Sequence, residues 1–256
     1  MTGEPQLSAL VVAHNEAANL PDCLDSLRFC DEIVVVLDRC TDDSKAIAEA
    51  AGARTLEGAW PVEGDRRNAG NDACRGAWIF EVDADERVPE ALAQEIRATV
   101  RASDADYHLV PFDNYIGGRL VRHGWGASFG VSSAPRLCRK GVKTWGRQRV
   151  HPALTWKDGA RQGERLRARM VHYADASISD MLARLDRYTT ARARDLRESG
   201  NLGSAARNYR RIVTRFWKCF VSRKGYREGG LGFLVAVCAG LYPILSYLKA
   251  RYDETD

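Results

Sequence analysis

Hydrophobic and polar residues follow two alternating periods along the first hundred residues of this 256-residue chain. The runs "LSALVVAH" and "EIVVVLD" have the length of strands, and the second has the β-branched composition of strands buried on both faces of a parallel sheet. After each run, apolar residues recur at helical spacing, in "NLPDCLDSL" and in "TDDSKAIAEAAG". The segments "ARTLEG", "RRNAGNDACRG" and "AWIFEVDAD" continue as strand, helix and strand. This order predicts an α/β fold with a doubly wound, mostly parallel sheet and helices on both faces.

Acidic and amide side chains follow three of these predicted strands, in the loops "AHNEA", "LDRCTDD" and "DADER". Ligands of doubly wound sheets bind at the carboxyl ends of the strands, so we expect the three loops to form one site. In the third loop, Asp83, Asp85 and Glu86 follow an apolar strand with no turn residue between them. Crowded carboxylates repel one another, and a divalent cation with oxygen ligands is the usual partner that relieves this repulsion.

A helix start is the alternative interpretation of the third loop. The segment "PEALAQEIRATV" has a helical pattern, and Pro89 suits a first helical turn. A helix start accounts for Glu86 and Glu90, but it does not account for Asp83, which the strand pattern includes.

Arg66 and Arg67 open the predicted helix "RRNAGNDACRG". Two cations at a helix N-terminus oppose the helix dipole, and an anionic ligand would relieve that conflict. Asp38 could simply end the second strand, but its place at the carboxyl end of a parallel strand favours a binding role.

Four motifs in this half of the chain carry a resemblance to a known family. In order, "VVAHNEAANLPDCLDSL", "EIVVVLDRCTDDS", "RRNAGNDACRGAWI" and "VDADE" resemble the motifs of family 2 glycosyltransferases with the GT-A fold. The later segments "NYIGGRLVRHGW", "RLCRKG", "VH" and "LDRYTT" resemble the WaaE/KdtX-type lipopolysaccharide core glucosyltransferases of Gram-negative bacteria. The resemblance implies that a sugar, with glucose expected, moves with inversion from a UDP-sugar to a lipopolysaccharide core or another glycolipid, with Mg²⁺ or Mn²⁺ as cofactor.

The resemblance also implies roles for individual residues. Asp38 corresponds to the acid that binds the uracil ring, Arg67 to a basic residue near the base and phosphates, and Asp83 to an acid near the ribose. The full set of implied nucleotide-sugar-binding residues is Ala13, Asn15, Glu16, Asp38, Arg67 and Asp83. Asp85 is the implied metal ligand, and a cation held there would neutralise charge on the departing diphosphate.

The catalytic base is not identified by the resemblance. An inverting enzyme needs a carboxylate to deprotonate the acceptor hydroxyl. Many relatives have an acid directly after "VH", where this sequence has Pro152, and the segment "GWGASFGVSSAPRL" has none either. Asp113 is the nearest acid in the acceptor-like region, and His151 is the second candidate. A sugar-nucleotide-binding pseudoenzyme is therefore an alternative. A nucleic-acid-binding protein is a weaker alternative, because the carboxylate loops would repel phosphate.

The C-terminal third carries the positive charge of the chain. Between Arg165 and Glu228 there are sixteen Lys and Arg against six Asp and Glu, although the whole chain has a formal charge of only +4. An amphipathic helix around Tyr209 to Phe220 has an apolar face and a basic remainder, and the charge-free segment "LGFLVAVCAGLYPILSYL" follows it. Either part could pack as a core helix. Together they favour a chain that lies in the membrane interface over one that spans the bilayer.

The resemblance implies a GT-A catalytic domain at 1–175, with a nucleotide-sugar half at about 1–100 and an acceptor half at about 101–175. A basic, helical, membrane-associating extension is expected at 176–256. Seven scattered cysteines and an N-terminal segment without an export signal predict reduced thiols in the cytosol. The expected location is the cytoplasm, peripheral on the inner face of the inner membrane.

Overall fold

The computed structural model describes residues 6–126 and 129–253. In chain order its elements are β1 (Leu7–Ala13), α1 (Leu20–Asp25), β2 (Glu32–Asp38), α2 (Ser44–Ala50), β3 (Arg54–Gly58), α3 (Glu63–Ala73), β4 (Trp78–Asp83), β5 (Glu86–Arg87), α4 (Glu90–Ala102), β6 (Tyr107–Ile116), β7 (Arg119–Val121), β8 (Ser133–Arg139), β9 (Lys143–Trp145), β10 (Leu154–Trp156), β11 (Met170–Asp175), α5 (Ile178–Glu198), α6 (Ala205–Trp217) and α7 (Gly229–Tyr252). A π-helical segment, Lys218–Ser222, and a 3-10 segment, Gly225–Glu228, follow α6.

The described residues form two compact units. The first consists of those in Met1–Phe112, Ser133–Gln148 and Pro152–His172, and the second of those in Asp113–Ser132, Arg149–His151 and Tyr173–Asp256. The described residues of three stretches of the predicted acceptor half, 113–132, 149–151 and 173–175, thus belong to the same compact unit as the C-terminal helices.

A single sheet organises the first unit, with the strand order β3-β2-β1-β4-β8-β6-β11-β5. Strand β1 is parallel to β2 and β4, and β2 is parallel to β3. Every residue of β1 is buried. Alternate residues of β1 enter two different cores, with Ala9 and Val11 in one and Leu10 and Val12 in the other. A sheet covered on both faces was predicted and is confirmed.

Helices cover each face of this sheet for identifiable reasons. Helices α1, α2 and α4 contribute apolar residues to the larger core, and Cys74, next to α3, enters the smaller one. Helix α3 approaches its face closely at Gly70, where an added Cβ would lie 2.5 Å from Leu10 Cδ1 and 2.8 Å from Val36 Cγ2. Glycine at residue 70 is therefore a packing requirement.

The strands after residue 100 join the sheet antiparallel. Strand β8 pairs with both β4 and β6, so these segments of the predicted acceptor half extend the sheet. The short strand β5 contains Glu86 and pairs with β11 through His172. Helix α4 begins only at Glu90. The helix-start interpretation was therefore wrong for Glu86, because this residue lies in a strand.

The second unit is built mainly from α5, α6 and α7. Its core combines residues of α5 and α7, such as Met181 and Ala239, with Trp125 and Phe129. Among the described residues, one helix, containing α7, is long and apolar enough to cross a membrane, and 61% of its most apolar stretch is buried within the protein. Much of its apolar surface is thus used in packing.

Candidate functional site

The predicted site lies at the carboxyl ends of three neighbouring parallel strands, β2, β1 and β4. Ala13 is the buried last residue of β1. In the loop that follows, Asn15 has a positive φ of 57° and its Oδ1 accepts a hydrogen bond of 2.7 Å from the Thr41 N–H. The Glu16 N–H donates to Ser44 Oγ at 3.0 Å. The loop after β1 is thereby fixed to the loop after β2.

Asp38, at the end of β2, is buried and heavily hydrogen-bonded. Its carboxylate accepts from the Trp60 N–H at 3.1 Å, from Arg39 at 3.1 and 2.9 Å, and from Arg66 Nη1 at 3.1 Å. Burial acts to raise the pKa of Asp38, but the Arg39 and Trp60 hydrogen bonds bring it below its usual value. Arg66 Nε is buried without a hydrogen-bond partner, so one donor remains available beside Asp38.

Asp83 ends β4 and is held by two arginines. Arg67 Nη2 donates to its Oδ1 at 2.8 Å, and Arg136 Nη2 donates to its Oδ2 at 2.5 Å. Burial opposes ionisation, but Arg136 and Arg67 hold the pKa of Asp83 well below its usual range. Asp83 is therefore a fixed carboxylate with a defined orientation.

Arg136 is a residue that sequence reasoning missed. It lies on β8, next to the residue that pairs with β4, and its Nη2 also donates to Glu86 Oε1 at 2.7 Å. Its guanidinium lies 5.6 Å from the ring centroid of Phe112. The Arg136 side chain is 11% exposed, so its charge requires a partner, but the sequence did not show which carboxylates supply it.

Glu86 completes this cluster without facing solvent. Its side chain is 1% exposed, and its Oε2 accepts from the Asp83 N–H at 2.8 Å. Burial raises the pKa of Glu86 to about 7, even though the nearby Arg136 lowers it. Both carboxylate oxygens are thus used in fixing Arg136 and the β4–β5 turn.

Arg67 has its charge balanced within the protein. Besides Asp83, it contacts Glu63 Oε1 at 2.7 Å, and it lies 5.0 Å from the ring centroid of Trp145. Helix α3 begins at Glu63 and carries Glu63 and Asp65 in its first turn. The predicted conflict between two arginines and a helix N-terminus was therefore wrong, because the helix starts earlier with acidic residues.

Asp85 combines an exposed side chain with an unsatisfied atom. The side chain is 37% exposed, but its Oδ1 is buried without a hydrogen-bond partner. Its Oδ2 lies 3.6 Å from His172 Nε2, on β11. Burial acts to lower the pKa of His172, but Asp85 and the neighbouring acids raise it above its usual value. Sequence reasoning missed His172, because only tertiary pairing brings it beside Asp85.

Asp85 and His172 fit a divalent cation that has further ligands of its own. A carboxylate oxygen suits Mg²⁺ and Mn²⁺, and the buried Oδ1 of Asp85 is an acceptor that has no donor. No group of three His, Cys, Asp or Glu side chains suited to a metal occurs in residues 6–126 and 129–253. A cation held by Asp85 and His172 would take its remaining ligands from water or from substrate phosphates.

A sequence model of glycosyl transferase family 2 matches residues 8–137, which is half of the chain and contains all of this site except His172. The chain belongs to glycosyl transferase family 2.

Two relatives that match nearly the whole chain are also glycosyltransferases. The chain is 26% identical to the "Lipopolysaccharide core biosynthesis glycosyltransferase LpsC" of Rhizobium meliloti (strain 1021), over 95% of this chain and 91% of that protein. It is 24% identical to an uncharacterized glycosyltransferase of Rickettsia bellii, over 96% of this chain and 86% of that protein. The family 2 glycosyltransferase described here is therefore similar to these proteins along nearly its whole length.

The solved structures that resemble this chain are more distant from it. Glucosyl-3-phosphoglycerate synthase from Mycobacterium tuberculosis, solved with Mn²⁺, UDP and glucosyl-3-phosphoglycerate, is 23% identical with a TM-score of 0.38, covering 44% of this chain and 45% of that one. TarS of S. aureus is 13% identical with a TM-score of 0.45, covering 75% of this chain and 40% of that one. The present chain thus spans less than half the length of these structures.

The two candidates for the base of this glycosyltransferase lie in the second unit. Asp113, on β6, contacts Arg122 Nε and Nη2 at 3.3 Å each. His151 has a positive φ of 52°, and its ring lies 5.7 Å from that of Tyr188 in an edge-to-face arrangement. Their assignment as base remains a prediction.

Proposed function

We propose that this family 2 glycosyltransferase uses a UDP-sugar, with UDP-glucose expected, and a divalent cation, Mg²⁺ or Mn²⁺. The acceptor is a lipopolysaccharide core or another glycolipid, and transfer proceeds with inversion. One observation carries the proposal: Asp85 presents a buried, unpartnered carboxylate oxygen beside His172, at the sheet edge where Asp83 is held by two arginines. The similarity to the Rhizobium meliloti lipopolysaccharide core glycosyltransferase supports the acceptor class.

In this proposal each side chain at the sheet edge has one task. Asp85 and His172 hold the cation, which when bound neutralises charge on the departing diphosphate. Asp83, oriented by Arg67 and Arg136, retains lone pairs that can accept from a ribose hydroxyl. Its fixed geometry reduces the entropy lost when the donor binds.

The loops after β1 and β2 are assigned to recognition of the uracil ring. Asp38 accepts from the uracil N–H in place of one of the donors of Arg39, whose side chain is 56% exposed, and Arg66 Nε, buried without a partner, is a donor for an oxygen of the nucleotide. Ala13, Asn15 and Glu16 form the wall of this pocket, and the loop that contains them is fixed to Thr41 and Ser44.

Asp113 is the first candidate and His151 the second for the catalytic base, which deprotonates the hydroxyl group of the glycosyl acceptor.

We also propose that the enzyme acts as a peripheral protein on the cytoplasmic face of the inner membrane. The supporting feature is an exposed apolar stripe on α6, formed by Tyr209, Val213 and Trp217, which are 54%, 67% and 60% exposed. Tyrosine and tryptophan suit the membrane interface, where one part of the ring is apolar and another hydrogen-bonds to water. The stripe fits an interfacial helix better than a spanning one.

Metal-dependent binding of UDP tests the proposal. UDP at a hundred times its Kd should stabilise the protein by about 2.7 kcal/mol with Mn²⁺ present. That stabilisation corresponds to a rise in Tm of about 5–10 °C. Asp85→Ala should abolish the Mn²⁺-dependent part and sugar transfer while keeping the Tm of the free protein. Asp43→Ala is the matched control, because Asp43 is exposed and its side chain makes no helix-capping hydrogen bond. Equal Mn²⁺-dependent shifts in wild type and Asp85→Ala would contradict the assignment of the metal ligand.

A further inference from the structure

A cavity of about 450 Å³ lies within the second unit, and its charged lining is entirely basic. Helix α5 contributes Arg192, and α6 contributes Arg207, Arg211 and Arg215. His151 and Tyr242 line it as well, whereas no Asp or Glu is among the described residues that do. The volume falls within the range of small-molecule binding sites.

The arrangement of α6 explains how these arginines meet. Arg207, Arg211 and Arg215 are four residues apart and so share one face of the helix, whereas the exposed stripe of Tyr209 and Val213 lies on the opposite face. The basic side of this helix was expected to be a solvated or lipid-facing surface. Three of its arginines instead line a cavity, whereas Arg210 and Lys218 of the same helix region are exposed.

The first turn of α6 adds to the positive potential. The N-terminus of a helix carries a partial positive charge and favours anions. Helix α6 has no acidic residue in its first turn, and Arg207 lies there, with its N–H donating to the capping Ser204 Oγ at 3.3 Å. Such a placement of like charge is costly unless an anion balances it.

Asp195 supplies counter-charge to one arginine of this cavity. Asp195 lies 3.7 Å from Arg192, but it is shared with Arg149 at 3.1 Å. Arg211 contacts the neutral Asn208 Oδ1 at 3.4 Å. Burial, followed by the positive charge of Arg211, lowers the pKa of Arg215, which indicates that cations are crowded in this cavity.

We propose that this cavity is a second anion site, which binds the phosphomonoester or pyrophosphate group of a ligand other than the sugar donor. Four guanidinium groups offer the planar, charge-assisted donors that recognise phosphate oxygens. The group can be carried by a lipid headgroup or by a soluble phosphate, since both present the same oxygens.

Phosphate binding to the full-length protein tests this site. Isothermal titration with inorganic phosphate and with pyrophosphate should show binding that Arg207→Gln/Arg211→Gln weakens at least about tenfold, the loss expected when charge-assisted hydrogen bonds are removed. Arg210→Gln is the matched control, because Arg210 is an exposed residue of the same helix that does not line the cavity. Its affinity should stay within about twofold of wild type, as expected for an exposed charge.

Vesicles distinguish the two sources of phosphate. Phosphatidylcholine vesicles with phosphatidic acid are compared with phosphatidylglycerol vesicles of equal surface charge. A preference for phosphatidic acid that the double variant loses assigns a headgroup phosphomonoester, and binding of soluble phosphate alone assigns a free ligand. Equal phosphate affinity in wild type and the double variant, or an equal loss in Arg210→Gln, overturns the site.

The donor site provides a separate control. Asp85→Ala should retain phosphate binding, because Asp85 belongs to the first unit and the cavity to the second. A loss of phosphate binding in Asp85→Ala would assign the phosphate to the donor site and overturn the proposal. The arginine double variant should keep its Mn²⁺-dependent stabilisation by UDP and an unchanged Tm in phosphate-free buffer. Failure of the second site is thereby distinguishable from failure of the proposed transferase function.

Discussion

Replacing Arg136 by methionine removes a cation that two acids share. The Arg136 side chain is 11% exposed, Glu86 is 1% exposed and Asp83 is 30% exposed. Asp83 keeps its contact with Arg67, at 2.8 Å, but Glu86 loses the guanidinium that lies 2.7 Å from its Oε1. At pH 8.5, above the pKa of about 7 that Glu86 has in the folded protein, Glu86 is ionised, and the cost falls mainly on this residue, which becomes a buried carboxylate without that counter-charge.

Removing one partner of a buried ion pair costs about 3–5 kcal/mol, because the other charge is left uncompensated. For a protein of this size each kcal/mol lowers Tm by roughly 2–4 °C, so Arg136→Met should lower Tm by about 6–20 °C. Arg147→Gln is the matched control, since Arg147 is 73% exposed and contacts Asp65 at 3.2 Å. A surface pair of this kind contributes about 0–1 kcal/mol.

Thermal unfolding followed by circular dichroism measures both variants. The double variant Arg136→Met/Glu86→Gln should recover part of the loss, because a neutral amide is less costly to bury than a carboxylate. Two results would refute the reasoning. One is a Tm of Arg136→Met as high as that of Arg147→Gln, and the other is a double variant no more stable than Arg136→Met.

Two further predictions concern the second unit. Trp217→Ser should shift the enzyme from the membrane fraction to the soluble fraction without lowering Tm, whereas the control Leu182→Ser, at an exposed apolar residue of α5, should leave recovery in membranes unchanged. Equal recovery of both variants in membranes would contradict a role of the α6 stripe in membrane binding. Asp113→Asn should lower kcat for sugar transfer by a factor of about 10²–10⁴ while preserving stabilisation by UDP and Mn²⁺. An unchanged kcat would exclude Asp113 as the catalytic base and leave His151 as the candidate for that role.

The sequence alone was sufficient for most strands and helices of the first hundred residues, with the exceptions of strand β5 and the start of α3. Strand and helix periods differ, so "EIVVVLD" and "PEALAQEIRATV" each indicate one local structure. Parallel strands place their carboxyl ends, and with them the three polar loops, at one edge of the sheet, whereas the order β2, β1 and β4 is seen only in the structure. The alternation of strands and helices along the chain is therefore enough to predict a common site for Asp38, Asp83 and Asp85.

Only the tertiary structure showed how the charges at that edge are distributed. Arg136 and His172 come from β8 and β11, which are far along the chain from Asp83 and Asp85, and local periodicity carries no information on such pairing. The same reason explains the error at Glu86, whose short strand exists because β11 pairs with it. It also explains α6, since amphipathic spacing identifies a basic face but not whether that face meets solvent, lipid or a cavity. Local propensity determined the elements, and long-range packing decided which charges they bring together.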